Sequence, residues 1–323
     1  MTSLPSLPNV KAAVLVPGFL SGADEFASMV EALKERGIPT VVVPMPFWHW
    51  FPCLGGRSIR PVLERIDYTI RHVCANVGTV DHESDNASLL SSIPPFEYST
   101  IDFLRDMLEN PGGMLRIGGT DKVDEFPHVD PRGTFRVPAN DEYKGRVALI
   151  GHSAGGWISR IFLSGRPYGG RVYGGAKLVH SLVTLGTPNA DGNGPAFENI
   201  NWVNQEPHEL TKHGVRSLAI GGVGFKGSDW GFLTRGAYEF CCPDGTDGTS
   251  YDGDGVTPIQ SALALSGADH LQQTGVTHFP WGEVAGGNLV APELFQDYKT
   301  GSRLWYGSDE ALDEWIDWLK EVP

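Results

Sequence analysis

One short turn between a buried strand and a helix constrains this chain more than any other segment. Residues 146–150 (RVALI) form an apolar run that predicts a buried strand, and Ile158 and Ile161 follow at helical spacing. Between them stands Gly151-His152-Ser153-Ala154-Gly155, a G-x-S-x-G pattern. This pattern places the serine on a sharp strand-to-helix turn, where side chains at the flanking positions would clash. The segment therefore predicts a nucleophilic hydroxyl at the end of a strand.

Strand and helix patterns alternate along most of the chain. The predicted strands cover residues 11–16, 40–43, 146–150, 178–185, 215–220 and 271–276. The predicted helices cover residues 26–33, 59–77, 158–162 and a C-terminal segment that begins at Ser308. Strands that alternate with helices indicate an α/β fold with a doubly wound, mainly parallel sheet.

Residues 79–144 interrupt this alternation. They are rich in Pro, Gly, Asp and Ser and have only one short helical pattern, near residues 101–108. So long a stretch is rarely a plain loop in a compact domain. We expect residues 1–323 to form a single domain in which residues 79–144 are a cap-like insertion or lid over the sheet.

Composition excludes several classes of function. The chain has 25 basic and 39 acidic residues and a net charge of −14, whereas a nucleic-acid partner needs a basic surface. There is no P-loop, and no G-x-G-x-x-G follows the first predicted strand, so nucleotide binding has no support. The four cysteines lack metal-ligand spacing, and we expect reduced thiols, no metal and no cofactor.

The sequence also bears on where the protein works. It contains no apolar run of about 18 residues, the length that a membrane-spanning helix needs, and residues 1–5 do not look like a secretory signal. We therefore expect a soluble intracellular protein. It would be cytoplasmic, or in an organelle such as a plastid if a targeting segment was removed. The sequence gives no oligomeric state.

Three motifs together resemble the α/β-hydrolase superfamily, and more narrowly its lipase and esterase branch. They are residues 151–156 (GHSAGG), 182–188 (LVTLGTP) and 254–258 (DGVTP). Residues 145–163 are also similar to plant and algal serine hydrolases. The resemblance covers residues 11–78 and 145–280 but not the insertion. It implies an α/β-hydrolase fold and catalytic residues in the chain order serine, acid, histidine.

The predicted acid lies in residues 251–258 (YDGDGVTP), after the fifth predicted strand. The lipase-like pattern Asp-Gly-Val-x-Pro selects Asp254, whose carboxylate would orient the histidine and stabilise its cation. Asp252 is the rival, two residues upstream. A plain Gly-Asp turn without a catalytic role also fits these residues.

The predicted base is His278, because it follows the last predicted strand, as the resemblance requires. His270 is the alternative, but it precedes that strand. No comparable argument supports another histidine, such as His152 or His180, as the base.

An oxyanion hole needs two backbone N–H groups that point at the developing negative charge. The residue after the nucleophile, Ala154, supplies one by analogy with the superfamily, and the loop after the first strand supplies the other at Phe19. Gly18 would let the backbone of that loop approach closely. A strand-to-helix turn without an oxyanion hole would show the same sequence pattern.

Two further clusters stand beside the predicted catalytic residues. Phe47, Trp48 and Trp50 follow the second strand, on the side of the sheet where ligands bind, and either line a substrate pocket or pack against the insertion. The acidic residues Asp244, Asp247 and Asp252 do not have the spacing of a known calcium loop, and a solvated turn is favoured.

The sequence therefore predicts a serine hydrolase that cleaves carboxylic esters, small-molecule or lipid, through an acyl-enzyme on Ser153. An acyltransferase with the same triad is the alternative within this fold. A ligand-binding protein without catalysis is a further alternative, since a fold does not fix a function.

Overall fold

The computed structural model describes residues 7–45, 47, 50, 53, 59–77, 142–169, 171–229, 232–242, 247–279 and 304–321. The predicted insertion, except for residues 142–144, lies outside these ranges. Its role as a cap therefore stays a prediction.

A six-stranded parallel sheet forms the centre of the described chain. Its order is β2-β1-β3-β4-β5-β6, and every neighbouring pair is parallel. The strands are β1 Asn9–Val16, β2 Thr40–Val42, β3 Arg146–His152, β4 Val179–Leu185, β5 Arg216–Val223 and β6 Asp269–Thr274. A second, two-stranded sheet pairs β7 (Val276–Thr277) with β8 (Leu304–Trp305).

Helices cover both faces of the large sheet. They are α1 Ala27–Glu35, α2 Arg60–Asn76, α3 Ala154–Leu163, α4 Glu198–Asn204, α5 Glu209–Lys212, α6 Phe232–Cys241, α7 Ile259–Ala262, α8 Asp309–Asp313 and α9 Ile316–Lys320. Helices α2, α3 and α4 pack on one face, and α1, α8 and α9 on the other. This is an α/β fold with a doubly wound parallel sheet, as the sequence predicts.

Alternating side chains of the strands build the two halves of the core. In β1, Val14 and Val16 point to the face that carries α2, while Ala13 and Leu15 point to the face that carries α1. Successive side chains of a strand point to opposite faces, so a strand between two helix layers must be apolar throughout. This explains the apolar runs of β1 and β3, whereas β6 (DHLQQT), at the edge of the sheet, is largely polar and exposed.

The carboxyl ends of all six strands meet at one edge of the sheet, because the strands are parallel. The loops after β1, β3, β4 and β5 begin at this edge, as does the segment that leaves β6. Ligands of such sheets bind beyond this edge. Residues far apart in the chain are thereby brought to one place.

The C-terminal helix departs from its prediction. Ser308 is the N-cap residue, but its hydroxyl accepts a hydrogen bond from the backbone N–H of Trp305 (2.9 Å) and not from the helix. The predicted single helix is also divided into α8 and α9 by a turn at Trp315, whose indole is buried.

None of the four cysteines forms a disulfide, and all four are buried. Within the described ranges no helix combines the length and the apolar character that crossing a bilayer requires.

Candidate active site

Ser153 occupies a strained turn between β3 and α3. Its backbone has φ 50° and ψ −125°, which residues with a side chain rarely adopt. Its N–H donates to the carbonyl of Leu185 at the end of β4 (2.8 Å), and its carbonyl accepts from the hydroxyl of Thr187 (2.8 Å). Ser153 is the N-cap residue of α3, but its hydroxyl makes no capping hydrogen bond. The turn therefore fixes the backbone and leaves the hydroxyl for other use.

Glycine is required on both sides of this turn. A Cβ on Gly155 would collide with the backbone carbonyls of Val16 and Pro17, and one on Gly151 would collide with the backbone of Gly156. These are backbone atoms, so no side-chain movement relieves the clash. The structure thus gives the physical reason for both glycines of the G-x-S-x-G pattern.

Asp254 and His278 form a buried hydrogen-bonded pair at the same edge of the sheet. His278 Nδ1 lies 2.8 Å from Asp254 Oδ2, and the two side chains are 2% and 0% exposed. The backbone N–H of His278 also donates to the carbonyl of Asp254 (3.0 Å). The other carboxylate oxygen, Oδ1, accepts from the backbone N–H groups of Val256 (3.0 Å) and Thr257 (2.7 Å). A carboxylate oriented in this way can hold the imidazole in one tautomer.

The two rival residues lie elsewhere. The Asp252 carboxylate accepts from the backbone N–H of Gly224 (2.7 Å) and has no contact with a histidine in the described ranges. His270 lies exposed at the start of β6, where its ring is 3.3 Å from the carbonyl of Leu265. The structure therefore brings together Asp254 and His278 and not their rivals.

His152 connects this pair to the nucleophile turn. Its ring nitrogen Nε2 lies 2.6 Å from the carbonyl oxygen of His278, and the two ring centres are 4.9 Å apart. The hydrogen bonds of the described residues include none between the Ser153 hydroxyl and His278. Catalytic hydrogen bonds are often long without substrate and shorten only when it binds.

Gly186, directly after β4, leaves room for the acid–histidine pair. Its φ is +55°, and a Cβ at this position would lie 2.5 Å from Asp254 Oδ2 and 3.0 Å from His278 Nδ1. Glycine is therefore required here for both backbone and space.

The loop after β1 lies against the serine. A Cβ on Gly18 would lie 2.9 Å from the Ser153 Cβ, so the loop and the nucleophile turn are in close contact. Leu20 in this loop has φ 61°, a second strained position. The N–H groups of Phe19 and Ala154 donate no hydrogen bond to another described residue. The Ala154 group also belongs to the first turn of α3, where the helix dipole favours negative charge.

The aromatic cluster divides into two environments. Trp50 is 1% exposed and donates from Nε1 to the carbonyl of Ser21 (3.0 Å), and its ring packs edge-on against Phe19 with the ring centres 5.4 Å apart. Phe47 is 52% exposed, and Trp48 lies outside the described residues. Trp50 thus packs beneath the loop after β1, whereas Phe47 lies at the surface.

Sequence reasoning missed two residues of this site. His152 is given no role by the sequence-based prediction, although its place next to Ser153 fixes it beside the nucleophile turn. Tyr306, directly after β8, donates from its hydroxyl to Asp254 Oδ2 (2.7 Å) and is fully buried. It follows a segment without a recognisable pattern, and no sequence signal would have found it.

Burial keeps His152 neutral. Desolvation, followed by the nearby His278, lowers the pKa of His152 to about 3. With one ring nitrogen bonded to the His278 carbonyl, the other, Nδ1, is buried without a hydrogen-bond partner in the described structure. A neutral ring that donates from Nε2 fits both observations.

The described residues contain no group of three or more His, Cys, Asp or Glu side chains that could hold a metal ion. Asp247 instead accepts from the backbone N–H of Thr249 (3.0 Å) in a short 3-10 helix. Asp244 lies outside the described residues.

Solved structures of lipases and esterases resemble this chain weakly. Phospholipase PlaB from Legionella pneumophila matches with 11% identity and a TM-score of 0.42, over 96% of this chain and 64% of its own. Est1E from Butyrivibrio proteoclasticus matches with 11% identity and a TM-score of 0.35, over 93% of this chain and 90% of its own. The metagenomic carboxyl esterase MGS0156 matches with 13% identity and a TM-score of 0.45, over 99% of this chain and 80% of its own.

A scan against protein-family models and a search of the curated proteins both find no match. The chain spans less than two thirds of the phospholipase, and every TM-score given above lies below 0.5. These likenesses carry no argument about chemistry, and the likeness to plant and algal serine hydrolases stays a prediction.

The glycine requirement of the turn gives a first prediction. Gly155→Ala should lower the free energy of unfolding by about 3 kcal/mol or more, because the new methyl group meets backbone carbonyls that cannot move aside. Gly236→Ala is the matched control, since this glycine is exposed in α6 with open space around it and should gain about 0.5–1 kcal/mol. Urea denaturation at neutral pH measures both. Equal small effects would contradict the close approach of β1 and α3.

The buried neutral His152 gives a second prediction, on stability against pH. Its pKa is about 3 in the fold and 6.5 as the ordinary value, so the unfolded chain binds more protons between these limits. The contribution of neutral His152 to the free energy of unfolding is therefore complete above pH 6.5 and is lost as the pH falls toward 3. The free energy of unfolding changes over this range by at most about 1.4 kcal/mol per pH unit.

His152→Gln should accordingly flatten the decline of the free energy of unfolding between pH 6.5 and 4.5, followed by urea denaturation at several pH values. Ile158→Val serves as the control, since it weakens the neighbouring helix without removing a titrating group, and should keep the slope of the unmodified protein. A His152→Gln variant with that same slope would show that the ring is not held neutral.

Proposed function

We propose that this protein is a serine hydrolase of carboxylic esters, in which Ser153 is the nucleophile, His278 the base and Asp254 the acid. The observation that carries the proposal is the buried Asp254–His278 pair, which His152 joins to the strained turn of Ser153. Ligand binding alone requires neither a serine on a strained turn nor a buried carboxylate–imidazole pair beside it. This favours catalysis over a binding protein.

The proposed reaction proceeds by acyl transfer. His278 takes the proton of the Ser153 hydroxyl while the hydroxyl oxygen attacks the ester carbonyl, and the alcohol leaves with that proton. Water then attacks the acyl-enzyme, with His278 again as the base, and the acid is released. Asp254 accepts a hydrogen bond from the Nδ1–H group of His278 and stabilises the imidazolium that forms in each step, without taking up the proton itself.

The negative charge of the tetrahedral intermediate needs donors close to Ser153. We assign this role to the N–H groups of Ala154 and Phe19, which lie on the turn and on the loop packed against it. The Trp50 indole beneath Phe19 would hold this loop in place, and the exposed Phe47 is the described residue that we assign to the acyl pocket.

The nucleophile is tested first. Ser153→Ala should abolish hydrolysis of p-nitrophenyl esters and labelling by a fluorophosphonate probe, a loss of roughly 10⁶ in rate. Ser159→Ala is the control, because Ser159 is a buried serine of the same helix whose hydroxyl binds the carbonyl of Gly155 (2.6 Å). The control should keep labelling. Activity of Ser153→Ala within tenfold of the unmodified protein would refute the assignment of the nucleophile. Acceptor alcohols added to the same assay distinguish an acyltransferase, which would form new esters, from a hydrolase.

The acid and the base are tested by pairs of variants. Asp254→Asn should lower the rate by about 10⁴, since the amide no longer holds the productive tautomer of His278, whereas Asp252→Asn should have a mild effect. His278→Ala should likewise be severe and His270→Ala mild. Steady-state kinetics with one soluble ester measures all four, and a reversed order in either pair would move the role to the rival residue.

A further inference from the structure

The hydroxyl of Tyr306 contacts the acid of the proposed triad directly. It donates to Asp254 Oδ2 (2.7 Å), the same oxygen that faces His278 Nδ1 (2.8 Å). It also accepts a hydrogen bond from the backbone N–H of Gly222 in β5 (2.8 Å). Because the Gly222 group occupies the phenol oxygen as an acceptor, the phenol proton is directed at the carboxylate.

We propose that Tyr306 is a positioning residue of this site: it fixes the carboxylate of Asp254 and limits how strongly that carboxylate holds a proton on His278. The inference rests on the function proposed above. Tyr306 would act through Asp254 and would touch neither substrate nor the reacting atoms.

The surroundings keep the phenol in its donating form. Burial, and after it the neighbouring Asp254, raises the pKa of Tyr306 well above its ordinary value. The ring lies in the core layer that also holds Leu185, Ile220 and Val276. A phenol that cannot lose its proton at any working pH remains a constant donor to Asp254.

The effect on His278 follows from the sharing of one oxygen. Hydrogen bonds to a carboxylate stabilise its charged form and make it less basic. Asp254 Oδ2 shares its negative charge between His278 and Tyr306, so each donor weakens the attraction for the other. Without the phenol, the carboxylate attracts the imidazolium more strongly, and a higher pH is needed to free His278 as a base.

Among the described residues, three other titratable groups face Asp254 or His278. The His152 ring packs against His278, and its pKa is lowered to about 3, so it is neutral in the working range. The Tyr238 phenol and the Cys241 thiol face Asp254 from α6, and burial raises the pKa of each. These groups keep one charge state at neutral pH, which leaves Asp254 and Tyr306 as the groups that decide the basicity of His278.

The test is Tyr306→Phe, measured by the pH dependence of kcat/KM. The variant should move the acid-side midpoint upward by about 0.5–1 pH unit. It should also lower kcat by about tenfold, since Asp254 loses one of its donors, while KM stays nearly constant because no substrate contact is removed. A purely structural tyrosine would lower stability without moving the midpoint.

Tyr238→Phe is the matched control. Its phenol is equally buried, donates to the carbonyl of Phe225 (2.6 Å) and accepts from the backbone N–H of Gly255 (2.9 Å), beside Asp254 but not on its carboxylate. It should lower stability and leave the midpoint in place. If Tyr306→Phe keeps the midpoint of the unmodified protein, or if both variants move it equally, the proposal is overturned.

A second variant covers the case in which Tyr306→Phe does not fold. A 3-fluorotyrosine at position 306 keeps both hydrogen bonds but is a stronger donor, so it should move the midpoint downward. An unchanged or raised midpoint would contradict the proposal.

A measurement without substrate separates this inference from the proposed function. The titration of the His278 ring can be followed by NMR, with His278→Gln to assign the signal, and should move in the same directions. If the protein neither hydrolyses esters nor reacts with the fluorophosphonate probe, the proposed function fails, whereas the ring titration still decides the role of Tyr306.

Discussion

The structure depends on a carboxylate that has no contact with solvent. Such a group is costly to bury unless its oxygens find donors. Asp254 obtains them from its own turn, from the histidine that follows β7 and from the tyrosine that follows β8. The demand for donors therefore ties three separate segments together at the carboxyl edge of the sheet. The Tyr306 hydroxyl also accepts a hydrogen bond from the backbone of Gly222 in β5, so it links the Asp254 carboxylate to the sheet.

The second constraint is steric and acts on the other half of the site. Strand β1 approaches helix α3 so closely that only glycine fits at position 155, and the Ser153 backbone adopts strained angles to make the turn. Such strain persists only where surrounding contacts over-determine the conformation. Here the carbonyls of β1, the end of β4 and the Thr187 hydroxyl supply those contacts. The strained position of Ser153 is thus a consequence of packing between layers of the fold.

Much of this could be predicted from the sequence, for identifiable reasons. Strands buried on both faces are apolar runs, and this pattern predicts the inner strands of the sheet. The G-x-S-x-G pattern predicts the sharp turn at Ser153, because only glycine fits at its flanking positions. The order of Asp254 and His278 after Ser153 followed from the resemblance to a superfamily. The contacts of His152 and Tyr306 could not be predicted, because each depends on a partner far along the chain. The apolar spacing of the last helix also does not predict its division at Trp315.

The long separations within the site have a consequence for how it comes into being. His152 and His278 are 126 residues apart, and Gly222 and Tyr306 are 84 apart. Contacts between distant residues form late, because the entropy of closing a long loop must be overcome before the contact rewards it. The pairing of β1 with β3 joins residues that are farther apart still, such as Val14 and Leu149, so the centre of the sheet carries the same entropic cost. An oriented carboxylate at this edge is therefore a product of the complete fold and not of any local segment.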